Sequence, residues 1–251
     1  MFPFVWLLAT SLRTTGTIFA FPPVLIPRPA TLANFAGVWD TMPFGRFFAN
    51  TLYITGVGIA LTLAVSALAG YPLARMRFPG RDAIFYAIVA SLMLPQHVGL
   101  ILNFVTLTRV HLLDTYAAVY LPSAASIFGI FLLRQAYLVI PQDLEDAARI
   151  DGAGDFRLFA QVMLPLVTPA LATLAIVEFT GYWNAFLWPL IVLKSPDRFP
   201  LGVGLLYLSG QFATNTRYIA AGAVLMTIPV IAVFLALQRY FLRGIMLGAV
   251  K

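Results

Sequence analysis

Glu178 and Tyr182 are the side chains in this sequence best suited to binding chemistry, and they lie one helical turn apart inside a long apolar segment. A carboxylate and a phenol at this spacing share one stripe of a helix, where both can hydrogen-bond a ligand. Because a carboxylate within an apolar span is costly, such a residue is a functional candidate by default. The pair suits a solute that carries several hydroxyl groups. The alternative is that Glu178 is neutral or bonds a neighbouring helix.

Three amides complete the set of candidate solute contacts: Gln96, Asn103 and Asn184. Gln96 and Asn103 could line the same cavity as Glu178, although polar side chains inside helix bundles more often bond neighbouring helices. Asn184 follows Glu178 by six positions, about 120° round an ideal helix, so it is predicted to face elsewhere. Pro95 precedes Gln96 and predicts a local break in the helix, where freed carbonyls could face a cavity.

Other kinds of site chemistry find little support. The chain has no cysteine, and its two histidines, His97 and His111, lie in different segments without a carboxylate cluster. A metal or thiol site is therefore not expected. Neither Lys194 nor Lys251 follows a glycine, so the sequence contains no G-x-x-x-x-G-K-[ST] phosphate-binding loop. We expect no cofactor and no enzyme activity in this chain, and any ATP would be bound by another one.

The composition indicates a membrane protein. Of the 251 residues 61% are hydrophobic and 10% charged, and the mean hydropathy is +0.88, far from the averages of soluble domains. The net charge of +6 suits a protein beside anionic lipid, and nothing indicates nucleic-acid binding. Five apolar blocks are long enough to span a membrane as helices: residues 47–74, 83–108, 115–133 running on to about 138, 166–193 and 218–238.

The amino-terminal stretch, residues 1–12, is apolar but too short to span, because twelve residues of helix reach only about 18 Å. We expect a fragment of a span or an interfacial foot, and completing a span would take about 10 to 20 further residues upstream. The predicted fold is an all-α integral membrane protein with five full spans plus a truncated first helix, forming a single transmembrane domain over residues 1–251.

Residues 141–165, here called the docking segment, contain five of the ten acidic residues of the chain, between two apolar blocks. Asp143 is a good N-cap, with Asp146 three residues later as a short capping box. The helix that follows has a small, nearly flat face formed by Leu144, Ala147 and Ala148. Gly152 suits a left-handed helix stop.

A second short helix is predicted after Gly152, with apolar residues at i, i+3, i+4 and i+7 until Pro165: Phe156, Phe159, Ala160 and Met163. On these features alone, an ordinary interfacial helix lying on the bilayer is an equal alternative to a docking element.

The spacing within the docking segment resembles a family signature. Asp146-Ala147-Ala148, three residues, Gly152, nine residues and Val162-x-Leu164-Pro165 resemble the "EAA" pattern Glu-Ala-Ala-x3-Gly-x9-Ile-x-Leu-Pro of permease subunits of ATP-binding-cassette (ABC) importers. Asp146 stands for Glu and Val162 for Ile, which keeps charge or shape. The resemblance implies that residues 143–153 enter a cleft of an ATPase subunit. The residues that it implicates are Leu144, Glu145, Asp146, Ala147, Ala148, Asp151, Gly152, Leu164 and Pro165.

Three further stretches, 128–142, 183–193 and 238–251, look like the carbohydrate-uptake branch of that family. They are similar to its second permease subunit, of the maltose and glycerol-phosphate type. The resemblance implies a type I ABC importer transmembrane domain in the bacterial inner membrane. Its implied partners are a second homologous permease subunit, an ATPase dimer and an extracytoplasmic solute-binding protein. The sequence does not name the sugar, because the binding protein shares in selecting it.

The predicted topology follows from placing the docking segment in the cytoplasm. Residues 75–82 and the tail after Gln238 are then also cytoplasmic, while 13–46, 109–114 and 194–217 lie outside. The bias of Lys and Arg toward the cytoplasmic side is small, so the orientation depends mainly on the docking segment.

The outer segment 199–208 is too short to span and too apolar for a free loop. It is either a re-entrant or interfacial piece or, as we favour, packed against the bundle.

Two other function classes remain. A secondary transporter would need coupling-ion carboxylates or an inverted repeat, and one carboxylate in a span with no visible repeat argues against it. A membrane scaffold would explain the helices but not the spacing of the signature.

Overall fold

A computed structural model of the chain describes residues 2–14, 25–95, 98–206, 208 and 216–249, with the side chains of the last helix described as far as Ala236. Over these residues the structure is helical and contains no strand, only one isolated bridge between Arg13 and Ala30. The predicted all-α fold is confirmed for this part of the chain.

The described residues form the following helices. In chain order they are α1 Phe2–Ser11, α2 Ala33–Thr41, α3 Phe44–Arg75, α4 Arg81–Ala90, α5 Gly99–Arg109, α6 Tyr116–Tyr120, α7 Ile127–Val139, α8 Gln142–Ile150, α9 Asp155–Arg157, α10 Leu164–Leu166, α11 Thr168–Trp183, α12 Leu187–Val192, α13 Leu201–Gly204 and α14 Thr216–Ala249. A π-helical turn, Leu158–Met163, joins α9 to α10.

Two continuous helices in the described residues are long and apolar enough to cross a membrane: α3 and Thr216–Ala236 of α14. Two bent pairs reach that length together, Tyr116–Ser123 with Ile127–Val139 at 47° and Asp155–Leu166 with Thr168–Trp183 at 73°. The described residues therefore contain two to four candidate spans, and the expected five full spans are not reproduced among them. α1 is a shorter apolar helix of 10 residues.

The block 83–108, expected as one span, is interrupted. α4 continues into a 3-10 turn, Ser91–Met93, and helix resumes at Gly99. The break predicted beside Pro95 is thus confirmed, since a proline cannot continue the backbone hydrogen bonds of a helix. Gln96 and His97 lie outside the described residues.

The block 166–193 was expected to be one span, and this prediction is wrong. α11 ends at Trp183 and α12 begins at Leu187. In a continuous helix the ring of Pro189 would clash with the carbonyl group of Ala185, four residues earlier. Asn184 lies in the turn between the helices, so the angle expected from an ideal helix does not apply to it.

The chain divides into two compact units. The first comprises residues 1–54, 114–116 and 183–235. Trp183 is fully buried in it, and its indole N–H donates to the carbonyl of Met226 at 3.0 Å. The outer segment 199–208 also belongs to this unit. Leu201 and Val203 are buried, and the Leu201 N–H donates to the hydroxyl of Thr51 at 2.8 Å. This agrees with the favoured interpretation that the segment packs against its neighbours.

The second unit comprises residues 55–113, 117–182 and 236–251. Its core joins α3, α7, the π turn and α11, and the buried residues at its centre are Ala67, Tyr71, Ala74, Leu133, Tyr137, Leu158, Phe159, Met163, Val167 and Leu174. Aromatic contacts of Tyr71 with Tyr137 and with Phe159 close the end of this core that lies next to the docking segment. The docking segment therefore packs against this core and contributes residues to it.

Candidate functional site

The first helix of the docking segment is α8, and it starts earlier than its sequence predicted. Pro141 is the N-cap with φ −58°, and no side chain caps the helix there. The prediction of Asp143 as the N-cap is therefore wrong. Proline has a fixed φ and no N–H to satisfy, so it can begin the helix without a capping side chain. Asp143 and Glu145 lie in the first turn, where negative charge is favourable to the helix dipole.

The turn after α8 has the geometry expected from its glycine. Gly152 has φ +80°, in the left-handed region that glycine enters at low cost. Its N–H donates to the carbonyl of Arg149 at 3.0 Å, and the N–H of Ala153 donates to that of Ala148 at 2.9 Å. These two bonds are those of a Schellman motif. The predicted helix stop at Gly152 is confirmed.

The second half of the docking segment differs from the prediction. The helix passes through Pro165 as far as Leu166, and its middle is the π turn. A π turn closes i→i+5 hydrogen bonds and so shifts side chains out of the 3.6-residue period. Phe159 and Met163 are buried as expected, but Phe156 is 78% exposed and Leu158 is fully buried. The predicted apolar face is therefore wrong at Phe156.

The faces of α8 also differ from the expectation. Glu145 is buried, with 3% exposure, and Ala148 is half-buried against the core of the second unit. The predicted face of Leu144, Ala147 and Ala148 is therefore open only in part, because Ala148 packs against the core of the second unit. Leu144 and Ala147 are exposed.

Four apolar side chains of this segment are exposed. We call this set the docking row and define it as Leu144, Ala147, Ile150 and Phe156. Ile150 is 86% exposed, and sequence reasoning did not include it, because it lies six positions from Leu144, about 120° round an ideal helix. Phe156 was also missed as an exposed residue. Its exposure could not be read from the sequence, because it depends on the π turn.

The remaining residues that the signature implicates surround this row. Asp146, Asp151 and Gly152 are exposed, Leu164 is half-buried and Pro165 is exposed. The side chain of Arg149 donates to the Asp155 carboxylate at 2.8 Å. This hydrogen bond raises the pKa of the Arg149 guanidinium above its ordinary value.

α8 is tied to the second unit through Arg75, the last residue of α3. The guanidinium donates to the carbonyl of Tyr137 from Nε at 3.0 Å and from Nη2 at 2.6 Å, and Nη2 also donates to the carbonyl of Ile140. These carbonyls belong to the end of α7, where a helix leaves its last carbonyl groups without partners and favours a cation. The carboxylate of Glu145 lies 3.9 Å from Nε.

Glu178, the first candidate solute contact, is half-buried in α11. The side chain of Ser126, the N-cap of α7, lies close to its carboxyl group. Among the described residues, no cation forms an ion pair with it. Glu178 therefore lies near the polar side chain of Ser126 and is itself partly open.

Tyr182 is buried, and its hydroxyl group is hydrogen-bonded within its own unit. Its hydroxyl lies 3.1 Å from the hydroxyl of Thr62 and donates to the carbonyl of Tyr120 at 3.4 Å. Its ring lies so close to α3 that a Cβ added at Gly58 would come within 2.7 Å of it. These contacts are those of a helix–helix packing residue, so the structure separates the role of Tyr182 from that of Glu178.

The structure gives less support to the candidate amides than to Glu178. Asn103 is half-buried in α5, and no hydrogen bond within the described residues joins it to Glu178 or Tyr182. Asn184 is exposed in the turn after α11 and makes contacts of its own. Gln96 lies outside the described residues. Among the described candidates of the second unit, Asn103, Glu178 and Tyr182 are therefore not joined by hydrogen bonds. Among the residues described, it also shows no group of three or more His, Cys, Asp and Glu side chains that could hold a metal ion.

Asp114 is the centre of a group of hydrogen bonds in the first unit that the sequence did not lead us to predict. Its carboxylate accepts from the N–H groups of Lys194 and Ser195, both at 2.9 Å, and from Arg198 at 2.5 Å. Burial raises the pKa of the Asp114 carboxyl, but the hydrogen bonds from Ser195 and Lys194 and the charge of Arg198 outweigh it and bring the pKa to about 2. Asp114 has φ +57°, a left-handed conformation in which Asp is enriched. The residue type at this position is the only feature of the sequence that points to it.

Comparison with solved structures identifies the fold. The structure of a bacterial ABC transporter involved in the import of the acidic polysaccharide alginate superposes with a TM-score of 0.85 and 25% sequence identity, over 95% of this chain and 90% of that one. The methionine transporter MetNI, in an inward-facing conformation, has a TM-score of 0.55 at 23% identity, over 83% and 94% of the two chains.

Comparison of sequences identifies the family. An arabinooligosaccharide transport system permease protein of Halalkalibacterium halodurans is 36% identical, over 100% of this chain and 91% of that protein. A lactose transport system permease protein of Rhizobium radiobacter is 34% identical, also over 100% and 91%, and an sn-glycerol-3-phosphate transport system permease protein of Yersinia enterocolitica is 34% identical over 98% and 90%. The family described as binding-protein-dependent transport system inner membrane component matches residues 63–246. The chain belongs to this family and is a membrane-embedded transport subunit of the cell inner membrane.

Proposed function

We propose that this chain forms half of the translocation pathway of an ATP-driven ABC importer for sugars or sugar-like solutes. The family and the relatives named for arabinooligosaccharides, lactose and glycerol phosphate support a hydroxyl-rich solute. The likeness to a transporter that imports alginate supports the same class. Neither a secondary transporter nor a scaffold would account for these relatives together with the signature in the docking segment.

The observation that carries the coupling part of the proposal is the docking row. Exposed apolar side chains on a segment with this many charges face water rather than lipid, and a partner protein that covers them would bury apolar area. The buried side of the same segment is held by Arg75 and the core of the second unit. A segment with one face fixed to the transport subunit and one face open suits attachment to a separate ATPase subunit, through residues 143–153.

The partners follow from this assignment. The chain would work with an ATPase dimer that binds the ATP, with a second homologous permease subunit that supplies the other half of the pathway, and with an extracytoplasmic solute-binding protein. It would bind no cofactor and no nucleic acid itself and would perform no chemistry on the solute. The docking residues proposed here are the exposed and half-exposed members of the signature, with Ile150 and Phe156 added and with Glu145 and Ala148 as supports on the buried side. We further propose that residues 1–251 act as one transmembrane domain.

Glu178 remains our candidate for a solute contact. Its half-buried carboxyl group and the neighbouring Ser126 hydroxyl together offer donors and acceptors to a sugar hydroxyl. Tyr182 is better explained as a packing residue, since its hydroxyl already has two partners. Gln96, Asn103 and Asn184 have no structural support beyond the sequence.

The test is purification of the native complex from membranes, with a tag on this chain, and identification of the co-purifying chains. An ATPase and a second permease are expected. The variant Ala147→Trp places a large side chain in the docking row, and well-packed interfaces resist overpacking by about 1–3 kcal/mol. It should lose ATPase retention or uptake while remaining in the membrane.

The control is Ala36→Trp, the same substitution at an exposed alanine of α2. It should keep both properties. Recovery of no ATPase with the wild-type chain, or an Ala147→Trp complex that imports normally, would contradict the assignment.

A further inference from the structure

Arg75 brings together three elements of the second unit. It ends α3, its guanidinium donates to the carbonyls of Tyr137 and Ile140 at the end of α7, and it faces Glu145 of α8. Its Nη1 also lies 3.4 Å from the amide oxygen of Gln142 in the first turn of α8. One side chain therefore contacts a candidate membrane span, the helix before the docking segment and the docking helix itself.

Both members of the Arg75–Glu145 pair are out of contact with water. The side chain of Arg75 is 8% exposed and that of Glu145 is 4% exposed. By contrast, the side chains of Arg149 and Asp155 are 53% and 58% exposed. A surface pair of that kind contributes little, whereas a buried charge that loses its partner is strongly unfavourable.

Glu145 depends on Arg75 for its charge balance. Arg75 is the one cation that forms an ion pair with it within the described part of the chain. The Oε1 atom of Glu145 is buried there without a hydrogen-bond partner, so its desolvation is offset by the attraction of Arg75 and, more weakly, by the charge of Arg149 on the next turn of α8. A rotation or shift of α8 away from α3 would take this carboxylate away from its one ion-pair partner, and the pair therefore resists independent movement of the docking helix.

We propose that Arg75 is a positioning residue that makes α8 move together with α3, so that a displacement of α8 is passed to the span instead of being absorbed in the segment between them. This inference rests on the proposed function, because it needs an ATPase that acts on α8. Arg75 would act through the carbonyls of α7 and through Glu145, without touching the solute or the ATP.

The experiment uses the whole complex reconstituted in proteoliposomes, with three readouts: the amount of ATPase subunit retained, the rate of ATP hydrolysis and the rate of ATP-driven solute uptake. Four variants are compared with wild type: Arg75→Met, Glu145→Gln, both together, and Arg77→Met. Arg77 is the matched control. It lies two residues beyond Arg75, is exposed, and has no ion pair among the described residues.

We expect Arg75→Met to keep the ATPase subunit and its hydrolysis but to import about two- to thirty-fold less solute per ATP, the range for residues that couple two sites. Addition of Glu145→Gln should recover part of the loss, because it removes the unpaired buried carboxylate. Arg77→Met should behave as wild type. A residue that only capped α7 would show no such recovery.

The inference is overturned if Arg75→Met imports solute at the wild-type ratio, or if Glu145→Gln brings no recovery. If Arg75→Met does not assemble, Arg75→Lys retains the charge beside Glu145 but lacks the fork that reaches both carbonyls. It should assemble with a smaller loss of coupling, and its failure to assemble would also overturn the inference. Failure of the proposed function is distinguishable, because then the wild-type complex itself would lack an ATPase or ATP-driven uptake.

Discussion

The Arg149 guanidinium lies 2.8 Å from the Asp155 carboxylate, across the turn at Gly152. The pair joins the end of α8 to the start of α9 on the exposed side of the turn. Because both side chains are more than half exposed, the pair contributes little by itself. The two backbone hydrogen bonds of the turn and the left-handed Gly152 fix the angle between the two helices, and this angle sets the relative positions of Ile150 and Phe156 in the docking row.

Gly152→Ala should therefore impair coupling. A Cβ at this position meets no atom within 4 Å, so the effect would come from the positive φ alone, which costs an L-residue about 1–2 kcal/mol. We expect reduced ATP-driven uptake with normal amounts of the chain in the membrane. Gly154→Ala is the control, since Gly154 has φ −71° and equally open surroundings. Equal uptake by the two variants would show that the turn does not matter.

Substitution of Glu178 separates a solute contact from a structural residue. Glu178→Gln keeps shape and hydrogen-bonding capacity but removes the charge, so it should weaken uptake moderately. Glu178→Leu removes every polar contact and should reduce uptake much more, while the ATPase remains bound. The measurements are uptake at several solute concentrations and co-purification. Normal uptake by Glu178→Leu, or its failure to assemble, would make Glu178 structural and direct the search for the solute path to Gln96 and Asn103.

Tyr182→Phe should affect stability rather than solute binding. The change removes a buried hydroxyl that lies next to Thr62 and donates to the carbonyl of Tyr120. A hydrogen bond of this kind contributes about 1 kcal/mol. We expect a lower thermal unfolding temperature of the purified complex with an unchanged solute concentration for half-maximal uptake. Tyr86→Phe, at a tyrosine that is 69% exposed, is the control. A large rise in that solute concentration for Tyr182→Phe would return Tyr182 to the solute path.

Asp114→Asn should lower stability in a pH-dependent way. Because the pKa of Asp114 falls to about 2 in the folded chain, its stabilising contribution is complete above its ordinary pKa and is lost as the pH falls through that value toward 2. The unfolding temperature of the variant should lie below that of wild type at neutral pH, by about 2–4 °C for each kcal/mol. The difference should shrink between about pH 5 and about pH 3. A difference that does not change with pH would exclude this explanation.

Local features of the docking segment were predictable from the sequence, and long-range ones were not. The helix stop at Gly152 follows from a single residue type, and the break beside Pro95 follows from another. The burial of Glu145 could not be foreseen, because it depends on Arg75, seventy residues earlier in the chain. The π turn could not be predicted either, because no characteristic composition distinguishes a helical turn that contains one additional residue. This turn decides that Phe156 is exposed and Leu158 buried.

The candidate solute site shows the same limit. Glu178 and Tyr182 share a helical stripe as predicted, but the stripe does not tell which side chain is already bonded. Thr62 and Tyr120 supply the bonds of Tyr182 from other helices, and Ser126 lies close to Glu178. The interruption at Asn184 was missed because the apolar composition continues through it. Pro189, in the helix that follows, was the one signal in the sequence that a continuous helix was unfavourable.

Site-specific cross-linking tests the central claim most directly. The chain contains no cysteine, so Ala147→Cys or Ile150→Cys creates a single attachment point for a photoactivatable maleimide in the docking row. Illumination of the assembled complex should join this chain to the ATPase subunit from both positions, and Ala36→Cys should give no such product. If assembled complexes carrying the probe at Ala147 and at Ile150 yield no product with the ATPase, the docking row is not the surface that couples ATP hydrolysis to transport.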